Sequence, residues 1–396
     1  MKIAIYSGEI PSTTFVELLI DGMAKKGYEV ILFGRKKKKD YKRKNNISLH
    51  CFPESPAGIM LNFIFNFTVA LFFRYKALRI VMEEFKGQDY GSLFYKIRKA
   101  GRLLIVINHL PDIFHIQWIK QGHEWLFLRK LGVKVIGSFR GAHINYSPIV
   151  DERLAEVYRK TFPEYDGFHA VSYAIIDEAI KYNVLKNKIF RIPGAVDPGL
   201  LKNEVKGFKL KNNKIQLLSI GRSHWKKGYM YALDVCGILY NSGIDFHYTI
   251  VGVDKDEELL YQINDLKIES KVSLIKNIPH NLIFNYYKNA DIFLLPSLEE
   301  GIANVVLEAM AIGVPVVSTD CGGMKEVIVY GKNGWIVPVR DSLAMAEIIR
   351  KIINGAFNIN EIVSNARETI RKNHLETKQL SAFVNMYEKI CCNDCC

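Results

Sequence analysis

The stretch IFLLPSLEEGIANVVLEAMAIGVPVVST (292–319) decides how this chain folds. It opens with a short apolar run, IFLLPS (292–297), and closes with another, VPVVST (314–319), and both have the length of a buried strand. The residues between them read as a loop, Glu299–Gly301, followed by a helix that begins near Ile302. A strand, a helix and a second strand in succession predict a parallel pair joined by a crossover.

The same alternation runs along the whole chain. KIAIYS (2–7) and YEVILFG (28–34) read as strands around a helix in FVELLIDGMAKKG (15–27), which ends at a glycine. Further strands are predicted at residues 114–118, 133–139, 167–172, 215–221, 246–252 and 272–276. Strands alternating with helices predict parallel sheets that are covered on both faces. The predicted fold class is therefore α/β, with two Rossmann-like doubly wound domains.

The boundary between these domains is predicted near RIPGAVDPG (191–199), where two prolines and two glycines interrupt the pattern. We assign residues 1–195 to the first domain and residues 196–375 to the second. Ligands of doubly wound sheets bind at the carboxyl ends of strands. Two such domains that face each other are therefore expected to hold a ligand in the cleft between them.

Composition and charge narrow the class of protein. The 396 residues are 49% hydrophobic and 24% charged, which is typical of globular chains. Residues 1–200 carry 31 Lys and Arg against 19 Asp and Glu, a net charge of +12, and residues 201–396 carry only +1. The basic half indicates an anionic partner. The opening MKIAIYSGEI reads as a strand and not as a leader peptide, and the cysteines lack disulfide-like spacing, so a cytoplasmic location is expected.

The loop and helix of the first stretch have the features of a ligand site. Gly301 lets the backbone approach a ligand, and the N–H groups of the first helical turn attract anions. Glu300 lies beside that turn, and Glu308 follows on the helix among apolar residues. Carboxylates accept hydrogen bonds from neighbouring hydroxyls in pairs. The alternative is that Glu300 caps the helix and Glu308 lies on the surface.

A second cluster, GRSHWKKGY (221–229), follows the predicted strand LLSIG. Arg222 comes at the end of that strand, and Lys227 precedes Gly228 and a new helix. Two cations at the end of a strand suit a diphosphate leaving group. Surface lysines are common, so this signal gains weight only together with the two glutamates.

These residues carry a resemblance to a known family. GRSHWKKG (221–228), NADIFLLPSLEEGIANVVLEAMAIGVPVVSTDCGG (289–323) and EVIVYGKNGWIVP (326–338) resemble glycosyltransferases of family 4, which have the two-domain GT-B fold. Glu300 and Glu308 occupy the two glutamate positions of that family's E-x7-E signature. The second half of the chain matches nearly continuously, and the first half matches more loosely.

The resemblance implies a retaining, metal-independent transfer of a hexose from a nucleotide sugar, UDP- or GDP-linked, without a further cofactor. Arg222 and Lys227 would hold the donor phosphates, Glu300 would contact the sugar and Glu308 the ribose. The backbone N–H groups of the loop would add donors, and they belong to Gly301, Ile302 and Ala303. The resemblance also implies that the last helix, about 376–390, packs back on the first domain. The residues that follow it, 391–396, are interpreted as a Cys-rich tail.

The first domain would bind the acceptor. SGEIPSTTF (7–15) is similar to a PSETF stretch of some members, with Thr13 in the glutamate place. In SFRGAHI (138–144), many members have a His-Gly pair, but here Arg140 precedes Gly141 and His143 follows. Either Arg140 binds phosphate, or His143 supplies the imidazole that the family's histidine would provide. The third alternative is that Arg140 forms a structural ion pair.

Two stretches depart from the α/β pattern. RKKKKDYKRK (35–44) has eight cations and Asp40, and IMLNFIFNFTVALFF (59–73) is almost wholly apolar. The second is judged too short and too polar to cross a bilayer, but it could lie in an interface. Together they predict attachment to an anionic membrane surface, with a buried helix behind a solvated basic loop as the alternative.

Other signals are given less weight. DKD (254–256) matches a metal-binding pattern of another glycosyltransferase fold, and C-x-x-C in CCNDCC (391–396) could bind a soft metal, but no metal site is predicted. His109, His115 and His169 are interpreted as packing residues. The basic run lacks interleaved aromatic residues, so nucleic-acid binding is not expected.

The sequence therefore predicts a peripheral enzyme on the cytoplasmic face of the inner membrane. It would transfer a sugar to a lipid-linked or growing saccharide in capsule, exopolysaccharide or lipopolysaccharide biosynthesis. The alternative is a soluble GT-B enzyme that glycosylates a small molecule or interconverts nucleotide sugars.

Overall fold

The computed structural model describes residues 1–37, 46–86, 91–202 and 214–392. The chain divides into two compact units. The first unit comprises Met1–Ala170, Ile176–Ile192 and the chain from Leu380 on, and the second comprises Val171–Ile175 and Pro193–Gln379. The long segment of the second unit thus begins at Pro193, directly after Ile192 of the first unit and inside the Pro- and Gly-rich stretch 191–199.

The first unit contains a parallel sheet of seven strands in the order β3-β2-β1-β4-β5-β6-β7. These strands are β1 (Lys2–Ile10), β2 (Glu29–Lys36), β3 (Ile47–Cys51), β4 (Ile113–Ile116), β5 (Lys134–Phe139), β6 (Gly167–Ala170) and β7 (Ile189–Arg191). The strand order reverses between β1 and β4, which pair directly. This reversal is the topological switch point at which doubly wound sheets bind ligands.

Helices flank this sheet. They are α1 (Thr14–Lys25), α2 (Pro56–Phe73), α3 (Tyr75–Glu84), α4 (Leu93–Asn108), α5 (Ala142–Asn145), α6 (Ser147–Val150), α7 (Glu152–Thr161) and α8 (Tyr173–Ile180). Shorter 3-10 segments lie at Ile119–Leu131, Phe162–Glu164 and Lys186–Lys188.

The second unit contains a parallel sheet of six strands in the order β10-β9-β8-β11-β12-β13. The strands are β8 (Ile215–Ile220), β9 (Phe246–Val251), β10 (Val272–Ile275), β11 (Ile292–Leu295), β12 (Val316–Thr319) and β13 (Trp335–Val337). The helices are α9 (Tyr229–Asn241), α10 (Glu257–Asp265), α11 (His280–Asn289), α12 (Asn304–Ile312), α13 (Ser342–Ile353) and α14 (Ile359–Asn373). Further 3-10 segments lie at Pro198–Lys202, Trp225–Lys227, Glu269–Lys271 and Gly322–Glu326.

The last helix, α15 (Glu376–Cys392), packs into the core of the first unit. Its buried side chains recur at helical spacing and are Leu380, Phe383, Met386, Tyr387 and Ile390. A Cβ on Gly22 of α1 would lie 2.3 Å from a methyl carbon of Leu380, so glycine allows the two helices to approach. Cys391 and Cys392 belong to this helix and not to a tail, and residues 393–396 lie outside the described residues.

The predicted α/β class with two doubly wound parallel sheets is confirmed. Sequence reading did not find three short strands, β3, β7 and β13, which lie at or next to sheet edges. The helix of the first stretch begins at Asn304 and not near Ile302, because residues 301–303 are still extended loop. Of the basic run 35–44, only residues 35–37 are described.

The polar and apolar faces of helix α2 are reversed compared with those of an ordinary surface helix. Its polar asparagines face the protein: Asn66 receives a hydrogen bond from Asn108 of α4 (Nδ2 to Oδ1, 3.0 Å), and Asn62 donates one to the carbonyl of Gly101 (3.3 Å). Its large apolar side chains face outward and include Met60, Leu61, Ile64, Phe65, Leu71, Phe72 and Phe73. The interpretation of 59–73 as a buried helix is therefore wrong.

By length and composition alone, α2 is long and apolar enough to cross a membrane. No other helix in the described part of the chain meets these two criteria. The prediction that this helix is too short and too polar to cross a bilayer is therefore not supported. Its asparagine contacts with α4 nevertheless attach it to the first unit along one side.

Candidate active site

The loop after β11 carries Glu300, which is only 8% exposed. Its carboxylate receives hydrogen bonds from the ammonium groups of Lys227 (2.6 Å to Oε1) and Lys226 (3.4 Å to Oε2). The hydroxyl of Ser297, two residues after the end of the same strand, lies 3.3 Å from Oε1. Glu300 and Lys227, which were both predicted as site residues, thus form an ion pair in the second unit, with Lys226 as an additional partner.

Two adjacent loops bring these groups together, because β8 and β11 are neighbours in the sheet. The lysines lie on the 3-10 turn Trp225–Lys227 that follows β8. The backbone N–H of Leu298 donates to the carbonyl of Lys226 at 2.7 Å, which fixes one loop against the other. Gly228 ends the turn with φ +64°, and a Cβ there would lie 2.0 Å from the carbonyl oxygen of Pro296. Only glycine permits this approach.

The charges in this cluster stabilise each other. Burial opposes ionisation of Glu300, but the charges of Lys227 and Lys226 and their hydrogen bonds outweigh it, so the pKa of Glu300 lies below its ordinary value. Burial and the neighbouring charges of Arg222, Lys226 and Lys227 lower the pKa of His224. The site is therefore a fixed carboxylate among cations and a neutral imidazole at pH 7.

The backbone of Gly301 and Ile302 offers unpaired donors beside Glu300. Among the described residues, neither N–H has a protein acceptor within hydrogen-bond distance. Ala303 differs, because its N–H points to the sulfur of Met324 at 3.5 Å. Two of the three predicted donors are therefore unpaired among the described residues, and the third contacts a weak acceptor.

The diglycine Gly322–Gly323 holds this loop from the other side. The N–H of Gly323 donates to the carbonyl of Gly301 at 2.9 Å. A Cβ on Gly322, which has φ +55°, would lie 1.7 Å from the carbonyl oxygen of Glu300. These contacts leave no space for a side chain and set the direction in which the 300–302 backbone faces.

Glu308 lies on α12, one turn after the helix begins. Its Oε2 accepts a hydrogen bond from the hydroxyl of Tyr287 at 2.9 Å, and the same hydroxyl lies 3.0 Å from the carbonyl of Val305. Glu308 is partly exposed, whereas Tyr287 is buried. A buried phenol therefore orients the carboxylate, which is an arrangement suited to pairing with hydroxyl groups.

Arg222 follows Gly221 after β8, as predicted, but it does not join Glu300. Its side chain is exposed, and no hydrogen bond or ion pair links it to another described residue. Lys226 takes a place that sequence reasoning did not assign. The signal for it was present, because Lys226 and Lys227 both precede the turn-ending Gly228.

In the first unit, Arg140 and His143 follow β5 and belong to one aromatic group. The guanidinium of Arg140 lies 4.6 Å from the ring centre of Phe15 and donates to Gln117 Oε1 at 2.6 Å. The ring of His143 contacts Trp118, and Trp118 contacts Phe15, at centroid distances of 5.8 and 5.9 Å. Burial lowers the pKa of Arg140. Arg140 is not in an ion pair among the described residues, so that alternative is wrong.

The strand histidines form a buried chain of hydrogen bonds. His115 contacts the hydroxyls of Tyr387 (2.7 Å) and Ser138 (2.8 Å), and Ser138 contacts His169 at 3.0 Å. His169 in turn contacts the carbonyl of Ile192 at 2.8 Å. This chain joins β4, β5 and β6 to α15, so these two histidines are structural. His109 lies apart, with Nδ1 2.9 Å from the carbonyl of Ile105.

The DKD stretch has structural roles. Asp254 pairs with Lys276 at 3.0 Å, and Asp256 accepts from the N–H of Leu259 as the N-cap of α10. Within the described residues, no three potential metal ligands come together.

Comparison with known proteins shows the family to which this chain belongs. The family description Glycosyltransferase Family 4 matches residues 12–200, and Glycosyl transferases group 1 matches residues 202–373. The amylovoran biosynthesis glycosyltransferase AmsK of Erwinia amylovora is 32% identical over 76% of this chain and 76% of its own length. The chain belongs to glycosyltransferase family 4. The family predicted from the sequence is thus confirmed, and the protein is a glycosyltransferase.

A second relative agrees with the family assignment, and a solved structure agrees with the predicted fold. The putative colanic acid biosynthesis glycosyltransferase WcaL of Escherichia coli is 28% identical over 65% of this chain and 66% of its own length. The crystal structure of Alr3699/HepE from Anabaena in complex with UDP covers 98% of this chain and 100% of its own, with a TM-score of 0.73 at 17% identity. The predicted GT-B fold is confirmed.

Proposed function

We propose that this glycosyltransferase moves a hexose from a UDP- or GDP-linked donor to a lipid-linked or growing saccharide during cell-surface polysaccharide biosynthesis. The observation that carries the proposal is the cluster of Glu300 with Lys226 and Lys227 beside two unpaired backbone N–H groups. The names of AmsK and WcaL, which refer to amylovoran and colanic acid, support the polysaccharide class. The UDP in the HepE complex supports a nucleotide-sugar donor.

The cluster matches the charges that develop when a glycosidic phosphate bond breaks. Negative charge grows on the departing diphosphate, and Lys226, Lys227 and Arg222 can stabilise it. Positive charge grows on the sugar, and the carboxylate of Glu300 can stabilise that. Because the two lysines supply the positive charge, we propose a transfer that needs no metal and, following the family resemblance, retains the anomeric configuration.

Glu308 is proposed to bind the ribose of the donor. Its carboxylate is already oriented by the buried hydroxyl of Tyr287. An oriented carboxylate can accept from both ribose hydroxyls without first losing side-chain freedom. Gly301 and Ile302 are proposed to donate their N–H groups to the sugar or the phosphate.

Arg140 and His143 are proposed to act on the acceptor side. Phe15 and Gln117 hold the guanidinium of Arg140, so it can bind a phosphate or a sugar oxygen in a fixed direction. The ring of His143 packs edge-on against Trp118, in the same aromatic group as Phe15 and Arg140, and we propose that its imidazole contacts the sugar.

We further propose a peripheral position at the cytoplasmic face of the inner membrane. The outward apolar side chains of α2 support this, since Leu61, Phe65 and Phe72 are 69%, 68% and 74% exposed. Contiguous apolar patches of this kind mark interaction surfaces. The basic residues 38–44 lie outside the described residues but add cations that attract anionic lipids.

The first experiment titrates the purified chain with UDP, GDP and ADP by calorimetry in the presence of a chelator. Binding of one nucleotide with a micromolar dissociation constant is expected, and Glu308→Ala should weaken it at least tenfold. The 2′-deoxy form of that nucleotide provides the control: the native chain should prefer the ribose form, and Glu308→Ala should bind both equally. A folded chain that binds none of the three nucleotides would contradict the proposal.

A further inference from the structure

A cavity of about 280 Å³ lies within the first unit, on the β1–β2–β3 side of its sheet. Three arginines line it, Arg35 from β2 and Arg98 and Arg102 from α4, together with Tyr6, Phe52 and Asn62. No aspartate or glutamate is among its lining residues. The cavity therefore concentrates positive charge at the carboxyl end of the strands.

Arg102 is held firmly and is incompletely satisfied. One of its terminal nitrogens donates to the hydroxyl of Tyr6 at 2.8 Å, and its guanidinium lies 5.2 Å from the ring centre of Phe52. Its Nε is buried and has no hydrogen-bond partner in the described structure. Burial raises the pKa of Tyr6, so the phenol is neutral and does not balance the arginine. A guanidinium fixed in this way is ready to receive an anion.

The other charges around the cavity leave an excess of cations. Arg98 has neither a hydrogen bond nor an ion pair with any described residue. Arg35 has loose contacts with Glu9 (3.4 Å) and Glu54 (3.6 Å). Glu124, which is electrostatically coupled to Tyr6, is already paired with Lys99 at 3.3 Å. Two guanidinium groups thus remain without a carboxylate partner.

The cavity lies against the protein-facing side of the first turns of α2. Ile59 and Asn62 of this helix line the cavity, and Met60 and Leu61, which lie between them in sequence, are exposed on the outward face. The apolar face continues from there to Phe73. A cationic pocket at one end of an apolar helix face has the polarity of a lipid, whose anionic head adjoins its hydrocarbon chain.

We propose that this cavity binds the phosphate or diphosphate head of a lipid-linked acceptor, while the outward face of α2 lies against the hydrocarbon of the bilayer. This inference rests on the proposed function and specifies its acceptor. Arginine forks bind phosphate oxygens in pairs, and a neutral saccharide would offer these cations no charge. The lipid, and not a soluble anion, is favoured because the same helix, α2, lines the cavity with one face and presents its apolar face outward.

The test measures flotation of the full chain with phosphatidylcholine vesicles that carry, in separate samples, a polyprenyl diphosphate, the matching polyprenol or phosphatidylglycerol of equal charge. The diphosphate should raise the bound fraction at least tenfold above the polyprenol and clearly above phosphatidylglycerol. Arg98→Gln/Arg102→Gln should abolish that gain. The matched control, Arg74→Gln/Arg79→Gln, removes two exposed arginines near α2 that do not line the cavity, and it should keep the gain.

Several results would overturn the inference. Equal binding to polyprenol and to the diphosphate would mean that the head is not recognised, and equal binding to phosphatidylglycerol would mean general charge attraction. Inorganic diphosphate, titrated in the presence of saturating nucleotide, should bind far more weakly than the lipid. Equal affinity would assign the cavity to a soluble anion.

A second measurement separates this inference from the proposed function. Nucleotide binding depends on the second unit, so Arg98→Gln/Arg102→Gln should bind the donor nucleotide as the native chain does, and an unchanged far-ultraviolet circular dichroism spectrum shows that the first unit of the variant is folded. A chain that binds nucleotide but shows no lipid preference contradicts only the inference. A chain that binds no nucleotide contradicts the proposed function.

Discussion

The ammonium of Lys227 lies 2.6 Å from the carboxylate of Glu300, and the two residues come from loops after neighbouring parallel strands. Both side chains are largely buried, at 15% and 10% exposure. Without Glu300, Lys227 would be a largely buried charge with no carboxylate partner among the described residues, whereas Glu300 without Lys227 would keep only the longer contact with Lys226. Removing either charge should therefore lower the stability of the second unit as well as change the charge of the site.

Replacing Lys227 with Met should destabilise the second unit. Removing one partner of a buried pair typically costs about 3–5 kcal/mol, and Lys226 at 3.4 Å compensates in part, so a loss of about 2 kcal/mol in the free energy of unfolding is expected. Lys276→Met is the matched control, because its pair with Asp254 is exposed and should contribute less than about 1 kcal/mol. Urea denaturation checks both, and equal losses would refute the role of burial.

A double variant refines this test. Lys227→Met/Glu300→Gln removes both charges together, so it should recover part of the stability that Lys227→Met loses. Transfer activity should stay low in both variants, because neither retains the cation that would stabilise the departing diphosphate. Recovery of activity along with stability would argue against a catalytic role for the pair.

Replacing Gly228 with Ala should disrupt the approach of the two loops. The new Cβ would meet the carbonyl oxygen of Pro296 at 2.0 Å, in addition to the strain of φ +64°. Gly243 supplies the control, since it has φ +71° but nothing within 4 Å of its Cβ position. Gly243→Ala should therefore lose only about 1 kcal/mol of unfolding free energy and keep nucleotide binding. Gly228→Ala should lose more and bind nucleotide at least tenfold more weakly.

The predictable part of this site follows from local sequence. Strand, loop and helix signals predicted that Glu300 and Lys227 lie in segments that follow strands and that Glu308 lies on a helix, and the structure has them there, because parallel strands bring their carboxyl ends to one edge of a sheet. Lys226 was not assigned, since the choice between adjacent lysines depends on how a single 3-10 turn is oriented. Tyr287 was not found because its contact with Glu308 joins two helices, which no local spacing reveals.

The orientation of α2 shows a second limit. Its sequence is apolar on nearly all sides, so periodicity alone does not say which face is buried. The asparagines decide this, because their hydrogen bonds to α4 leave the large apolar residues outside. The three arginines of the cavity likewise come from distant parts of the sequence, since Arg35 and Arg102 are 67 positions apart. No sequence motif marks them.

The outward face of α2 should be required for membrane attachment. Leu61→Asp/Phe65→Asp places charges on that face and should lower the vesicle-bound fraction at least tenfold, since burying each apolar side chain contributes about 1.5–3 kcal/mol. Both side chains are exposed, so the melting temperature should change little. Ile149→Asp/Val150→Asp alters two exposed apolar residues elsewhere in the first unit and should leave vesicle binding intact. Equal loss in both variants would mean that no particular surface is used.

The buried histidine chain should make the first unit sensitive to mild acid. Burial, together with the charge of Arg140, lowers the pKa of His115 to about 3, and burial lowers that of His169 as well. Histidines in an unfolded chain titrate near pH ~6.5. As the pH falls below that value, the unfolded state takes up protons that the folded state refuses, so the free energy of unfolding decreases, by at most about 1.4 kcal/mol per pH unit for each histidine.

Urea denaturation between pH 7.5 and 5.5 measures this slope above the range in which carboxylates titrate. His115→Gln should lower the stability at pH 7.5, because the ring hydrogen bonds to Tyr387 and Ser138 are lost, and should also flatten the slope. His109→Gln changes an exposed histidine outside the chain and should leave the slope as it is. An unchanged slope in His115→Gln would mean that the acid sensitivity arises elsewhere, because a neutral amide can no longer contribute to it.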